Sequence, residues 1–264
     1  MTIIQAIIIA IVEGLTEFLP ISSTAHMKFL NPIIGVQATA FSDLFEIVIQ
    51  FAAILSVVLL FWKKFFDFNN IKFYLKLIVA VIPALIFGAL LKKYIDAALG
   101  NLTAIAIVMI VGGIILLFVD KWFTKNEIDD EKQIEYPTAL KIGLFQVLSI
   151  IFPGLSRSAA TIIGGMSQKL TRKAAAEFSF FLAVPTMFAA SCKSLLDVYQ
   201  EGSITFSSNE IITLIIGCVV AFIVATLSIK LFVQFVKDKG FKLFGIYRII
   251  LGSVVLIVLL FFNK

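Results

Sequence analysis

Six long, mainly apolar runs constrain this chain more than any other feature. They lie at 44–62, 77–91, 102–119, 178–192, 211–233 and 243–262. A helix needs about 20 mainly apolar residues to cross the hydrocarbon core of a bilayer, and the shorter runs can be extended toward that length. Of the 264 residues, 60% are hydrophobic and 15% charged, and the mean hydropathy is +1.05. Soluble domains run at roughly 45–50% apolar and about 25% charged, so a soluble fold of this size could not hide so much apolar surface. That excludes a secreted or cytosolic globular protein, a disordered chain and a coiled coil. The apolar stretches are continuous rather than alternating, which argues against an outer-membrane barrel. The expected fold class is an all-α integral membrane protein, built as one membrane domain over 1–264.

The formal net charge is +5. The Lys and Arg residues sit at the ends of apolar runs, where they orient spans in the membrane, so no nucleic-acid partner is expected. Cys192 and Cys218 both fall in apolar runs and read as small core hydrophobes, not as a metal cluster or disulfide framework. No cleavable signal peptide is expected: the first 27 residues carry no Lys or Arg, and Glu13 and Glu17 interrupt the apolar stretch.

Two further segments are apolar but defective as spans. Segment 3–30 carries Glu13, Glu17, Pro20, Ser22, Ser23, Thr24 and His26, and segment 138–170 carries Pro153, Gly154, Ser156, Arg157, Ser158 and Thr161. Each breaks in its middle at a proline followed by hydroxyl residues. Irregular backbone at membrane depth survives only when buried in protein or lining a wet cavity, and both segments read as re-entrant helical hairpins. Pro153 lies 133 positions after Pro20, about half the chain, and each hairpin is followed by three clean runs. The expectation is an inverted repeat, with halves at approximately 1–125 and 133–264, whose hairpins enter from opposite faces and meet near the midplane. The competing reading is two unrelated proline kinks in an eight-span bundle.

Charge gives an independent view of topology. With loop 63–76 in the cytoplasm, fourteen Lys and Arg residues lie inside, in 63–76, 120–137, 164–177 and 230–242. Five lie outside (Lys28, Lys92, Lys93, Lys193 and Lys264), and Lys141, Arg157 and Arg248 remain within membrane segments. This bias is the one the positive-inside rule expects, and it puts both termini outside. The acidic stretch N-E-I-D-D-E at 126–131 reads as a solvated loop joining the halves.

An ionisable residue inside a membrane segment is a functional hypothesis by default. Glu13 and Glu17 are four apart and share a helix face. They read as a proton-handling pair, as ligands of a hard divalent cation such as Mg²⁺ or Ca²⁺, or as acids reaching the water interface. His26, the sole histidine, has an ordinary pKa near 6.5 suited to proton transfer. In F-P-G-L-S-R-S-A-A-T at 152–161, Pro153 and Gly154 permit a tight turn and Arg157 stands where the next half-helix begins. Helix N-termini bind anions, and the planar Arg fork matches phosphate. Ser156, Ser158 and Thr161 add donors. A buried Arg157 needs an anion, supplied by the glutamates or by a substrate phosphate. On residues alone this is a membrane-embedded site for an anionic, phosphorylated ligand, with an enzyme and a transporter equally open.

The segments E-G-L-T-E-F-L-P-I-S-S-T-A-H at 13–26 and P-G-L-S-R-S-A-A-T at 153–161 closely resemble the two signatures of the undecaprenyl-diphosphate phosphatase family, also called the bacitracin-resistance family. F-E-I-V-I-Q at 45–50, A-E-F-S-F-F-L-A-V-P at 176–185 and I-Y-R at 246–248 also fit its pattern, so the resemblance covers essentially the whole chain. Ala25 and Ala159 stand where the pattern usually has glycine. The resemblance implies hydrolysis of undecaprenyl diphosphate to undecaprenyl phosphate, the lipid carrier for cell-wall glycans. It implies Glu13, Glu17, Ser23, His26 and Arg157 as the catalytic core. Ser22, Thr24, Gly154, Ser156, Ser158 and Thr161 are the implied phosphate contacts beside Arg157. It also implies a divalent cation, Mg or Ca, on Glu13 and Glu17. The expected location is the bacterial inner membrane, with multiple crossings and the site toward the outer face. The expected partners are a polyprenyl diphosphate lipid and the bilayer, and a homodimer is compatible with this scheme. The nucleophile is Ser23, activated by His26 or Glu17, or else a water that attacks while Ser23 orients the phosphate; His26 is alternatively the acid for the leaving phosphate. The alternative class is a lipid flippase or anion transporter on the same inverted repeat. A type-2 phosphatidate phosphatase is excluded, because the chain has one histidine and no Lys-Pro or Arg-Pro. The charge bias predicts that Asn70→Cys resists labelling by an impermeant thiol reagent added outside, while Ala97→Cys reacts; the reverse pattern inverts the topology.

Overall fold

A computed structural model describes residues 1–200 and 207–262; Lys264 lies outside the described residues. The chain forms α1 (Ile3–Thr16), α2 (Ser23–Ile33), α3 (Ala40–Leu60), α4 (Trp62–Phe65), α5 (Ile71–Leu90), α6 (Lys92–Leu99) and α7 (Leu102–Trp122). It continues with α8 (Tyr136–Ile151), α9 (Arg157–Ser167), α10 (Arg172–Gln200), α11 (Ser208–Lys239) and α12 (Lys242–Phe262). Among the described residues six helices are long and apolar enough to cross a membrane: α3, α5, α7, α10, α11 and α12. These are the six expected runs, and the fold is an all-α membrane protein.

Local sequence sets the helix starts. Thr2 with Gln5, Thr39 with Ser42 and Ser207 with Glu210 form capping boxes at α1, α3 and α11, which satisfy N–H groups the first turn leaves unpaired. Asn70 and Asn101 cap α5 and α7. Helices α5 and α10 begin six residues before the apolar runs 77–91 and 178–192, at Ile71 and Arg172. The added turns hold cations that the apolar criterion left out. The Lys76 amine, for example, donates to the carbonyls of Glu131 (2.9 Å) and Lys132 (3.1 Å) while its stem packs in the protein.

The two defective segments are broken helices. Helix α1 ends at Thr16 and α2 starts at Ser23; α8 ends at Ile151 and α9 starts at Arg157. Both second helices start from a serine in the left-handed region, Ser22 (φ 71°) and Ser156 (φ 77°). That region costs an L-residue roughly 1–2 kcal/mol. Each serine offsets part of the cost as an N-cap, its hydroxyl accepting from the N–H of Ala25 (3.4 Å) or Ala159 (3.3 Å).

Helices pack across the two segments of chain. Helix α7 lies on α12, α3 lies on α10 and α11, α1 lies on α11, and α5 lies on α8. The last two crossings share a device. A Cβ on Gly14 of α1 would sit 2.8 Å from the Ala221 carbonyl of α11, and one on Gly143 of α8 would run into the Ala80 carbonyl of α5. Small residues let membrane helices approach this closely. Phenylalanines fill the centre: Phe61, Phe65 and Phe73 stand edge-on to the buried Phe181.

The loop joining the halves departs from its expectation as a merely solvated segment. Ile128 pairs with the 169–171 strand-like turn through Ile128 N–H to Lys169 O (3.0 Å) and Thr171 N–H to Ile128 O (2.8 Å). Ile134 is buried, and Glu131 accepts from Lys64 (2.6 Å). Apolar Ile128 and Ile134, set among the acids, give the loop something to bury.

The largest fully buried side chain is Arg248 of α12. It donates to four carbonyls: Pro20 (3.0 Å) in the first break, Gly154 (2.8 Å) and Leu155 (2.7 Å) in the second, and Met109 (3.2 Å) of α7. Its guanidinium fits because residue 112 is glycine; a Cβ there would strike Nη2. Arg248→Leu leaves the buried break carbonyls of Pro20, Gly154 and Leu155 without this donor, at about 1–3 kcal/mol each. The variant is expected to lower the thermal unfolding temperature in detergent clearly, while the exposed Lys93→Leu leaves it within error.

Candidate active site

The two breaks face each other across one cavity of about 490 Å³. Glu17 follows the end of α1 and is almost fully buried, and Arg157 opens α9 from the other break. They meet: Arg157 Nη2 donates to Glu17 Oε1 at 3.2 Å, joining residues 140 positions apart. The second Glu17 oxygen accepts from Ser23 Oγ at 2.6 Å, with Gln50 Nε2 of α3 at 3.4 Å. A hydroxyl this close to a carboxylate makes a strong, charge-assisted bond. Arg157 Nη1 donates to the Ser179 carbonyl of α10 at 3.0 Å. Arg157 Nε is buried and has no acceptor, so the guanidinium's hydrogen-bonding capacity is not filled by its protein partners.

Ser22, Ser23, Thr24, Gly154, Ser156 and Arg157 line the cavity with Glu17, as the sequence predicts. Ser158 and Thr161 lie behind it. Ser158 Oγ donates to the Phe18 carbonyl (2.8 Å), tying the second break to the first, and Thr161 Oγ1 bonds Ser179 Oγ (2.7 Å) and the Arg157 carbonyl (2.9 Å). The apolar lining combines small residues, among them Ala84, Gly88 and Ala190, with larger ones such as Leu85, Leu99 and Ile150. At the cavity's rim Asp197 pairs with Lys92 (2.9 Å) and Lys193 (3.2 Å).

Glu13 and His26 stand apart from the lining. Glu13, one helical turn before Glu17, is 0% exposed, and neither of its oxygens has a hydrogen-bond partner. Glu46 of α3 is close enough to repel it and is itself held by Asn31 (2.5 Å) and Lys28 (4.0 Å). A buried carboxylate without a donor calls for a proton or a cation, and oxygen donors of this type suit hard cations. Glu13 and Glu17 are the residues that could hold one; no cluster of three or more His, Cys, Asp or Glu residues suited to a metal occurs among the described residues. The ring of His26 bonds the Ser22 carbonyl (2.7 Å) and the Tyr247 hydroxyl (2.7 Å), both outside the carboxylate–guanidinium contact. Cys192 and Cys218 are free and half-buried.

Four participants were not singled out by motif reasoning: Gln50, Ser179, Tyr247 and Arg248. All four fall in the stretches F-E-I-V-I-Q, A-E-F-S-F-F-L-A-V-P and I-Y-R, so the signal existed without a role attached. A lone amide, or a serine used through its carbonyl, carries no chemistry legible in sequence. Arg248 was visible as a charge inside an apolar run, the signature of a buried partner.

Comparison with known proteins identifies the family. The family model described as bacitracin resistance protein BacA matches residues 6–254. The undecaprenyl-diphosphatase of Flavobacterium johnsoniae is 51% identical over 264 residues, covering 100% of this chain and 98% of the relative. That of Porphyromonas gingivalis is 49% identical, covering 98% of each, and the Enterococcus faecalis protein of the same name is 43% identical, covering 97% and 96%. A match over nearly the whole length, including both breaks and all the cavity-lining polar residues, shows that this chain belongs to the bacitracin resistance protein BacA family.

Proposed function

We propose that this membrane protein hydrolyses undecaprenyl diphosphate to undecaprenyl phosphate and inorganic phosphate, recycling the lipid carrier for cell-wall glycan synthesis. The observation that carries the reading is the contact chain Arg157–Glu17–Ser23, which puts a phosphate clamp, a base and a hydroxyl nucleophile on one cavity. The names of the full-length relatives support the hydrolase over a flippase or transporter.

The terminal phosphate binds at Arg157, where the guanidinium and the cavity-lining hydroxyls of Ser22, Thr24 and Ser156 meet its oxygens. Arg157 neutralises charge that develops as the bridging P–O bond breaks. Ser23 Oγ attacks the terminal phosphorus in line and its proton passes to Glu17, already 2.6 Å away. Undecaprenyl phosphate leaves and takes the proton from Glu17; the restored carboxylate then takes a proton from a water that attacks phosphorus, breaking the Ser23 Oγ–P bond and releasing inorganic phosphate, and the proton returns to Ser23 Oγ. In the shorter version of the mechanism water attacks directly and Ser23 orients the phosphate. Glu17 is the base in reach of the Ser23 proton; His26 contacts the backbone of the turn instead. Glu13 and Glu17 would hold a divalent cation, Mg or Ca, which supplies further neutralisation of phosphate charge.

The same proposal places the protein in the bacterial inner membrane with the cavity toward the outer face, which the charge bias supports. The halves run antiparallel as an inverted repeat. Its support is the paired serine caps Ser22 and Ser156 and the matched close approaches at Gly14 and Gly143.

Phosphate release from a polyprenyl diphosphate by purified protein in detergent tests the reading. Arg157→Ala is expected to lose on the order of 10²–10³ in kcat, Glu17→Gln to lose activity and metal response together, and a chelator to silence the wild type. Wild-type rates in Arg157→Ala overturn the clamp. No release from folded protein, with lipid translocation in vesicles, moves the chain to the flippase class.

A further inference from the structure

His26 is held at both ring nitrogens, and the Ser22 carbonyl fixes which of them carries the hydrogen in the neutral ring. The Ser22 carbonyl can only accept, so Nδ1 at 2.7 Å must carry the hydrogen. The other nitrogen of the neutral ring is then a lone pair, and the Tyr247 hydroxyl, 2.7 Å from Nε2, is its donor. The His26 and Tyr247 rings lie parallel to within 1°, with centroids 5.6 Å apart, so the bond is made edge to edge between α2 and α12.

What this pair holds matters more than the pair itself. The Ser22 carbonyl receives both the ring Nδ1–H and the backbone N–H of His26 (3.2 Å). Ser22 sits at φ 71°, a conformation its neighbours must maintain. The next residue is Ser23, whose Oγ bonds Glu17. Tyr247 also precedes Arg248, which takes the Pro20 carbonyl of the same turn. Two consecutive side chains of α12 therefore brace the turn 17–22 at two of its carbonyls, one directly and one through an imidazole.

We propose that Tyr247 is a positioning residue for this site, acting through His26: it keeps the imidazole as the Nδ1–H form against the Ser22 carbonyl and so fixes the turn that presents Ser23 to Glu17. His26 thereby works on the backbone of the turn and not on the phosphate. The proposal rests on the hydrolase reading for its catalytic consequence, and on geometry alone for the hydrogen-bond chain.

His26 is the only histidine, so nitrogen NMR of histidine-labelled full-length protein in detergent reads this ring without interference. The wild type is expected to show a protonated Nδ1 and an unprotonated Nε2. Tyr247→Phe is expected to move the Nε2 resonance and to let the ring exchange between forms. In phosphate release, Tyr247→Phe is expected to lower kcat roughly tenfold with KM unchanged, as a misplaced nucleophile does, and to cost nothing further in a His26→Ala background. A wild-type Nε2–H form, an Nε2 resonance unmoved in Tyr247→Phe, or an equal kcat loss in both backgrounds overturns the proposal. The NMR measurement uses no substrate. Failure of the hydrolase reading therefore shows as absent phosphate release with the imidazole still held, and failure of the proposal as retained activity with the imidazole free.

Discussion

One buried cation organises the centre of this protein. Arg248 sits within α12 with no carboxylate among its described partners and gives its hydrogens to carbonyls from two chain breaks and from α7. A broken helix exposes carbonyls that nothing in hydrocarbon can satisfy. Two breaks meeting at one place concentrate that deficit, and a five-donor guanidinium is the side chain best matched to it. Its charge is met by carbonyl dipoles, which leaves the glutamates of α1 free for other work. The glycine at 112 is part of the same arrangement, since the space for Nη2 is the space a methyl group would fill.

The Glu17–Arg157 contact divides the labour differently. Each residue belongs to one break, so the cavity floor exists only when both breaks are in register, and Ser158 on the Phe18 carbonyl holds that register. A buried ion pair is weak evidence of stability, because desolvation offsets much of the attraction. Here the pair is incompletely satisfied on the arginine side, at Nε. A pair retained for stability alone would saturate its donors; in this one Nε stays buried without a partner, on a residue that lines the cavity. Glu13, buried without a donor, extends the same logic one turn deeper.

Much of this was legible in the chain. The six spans follow from apolar run length, and the two breaks from Pro20 and Pro153 beside hydroxyl residues. Glu17, Ser23 and Arg157 were readable because charged and hydroxyl groups are costly in apolar segments. Less legible were the contributions made through backbone. Ser179 serves by its carbonyl and Ser22 by its φ and its carbonyl, and neither property is written in a residue's identity. The helix starts at Ile71 and Arg172 were missed for a related reason, since the apolar windows stop at Lys76 and Glu177 while the helices run on. The linker was read by its acids, while its two isoleucines decide where it lies.

The cavity's apolar lining mixes small residues (Ala84, Gly88, Ala89, Ala189 and Ala190) with branched ones (Leu85, Ile95, Leu99 and Ile150) and carries no aromatic ring. An apolar chain lying against such a lining would be held by dispersion and the exclusion of water, which grow with the area covered and carry no direction. Direction has to come from the polar end, at Glu17, Ser23 and Arg157.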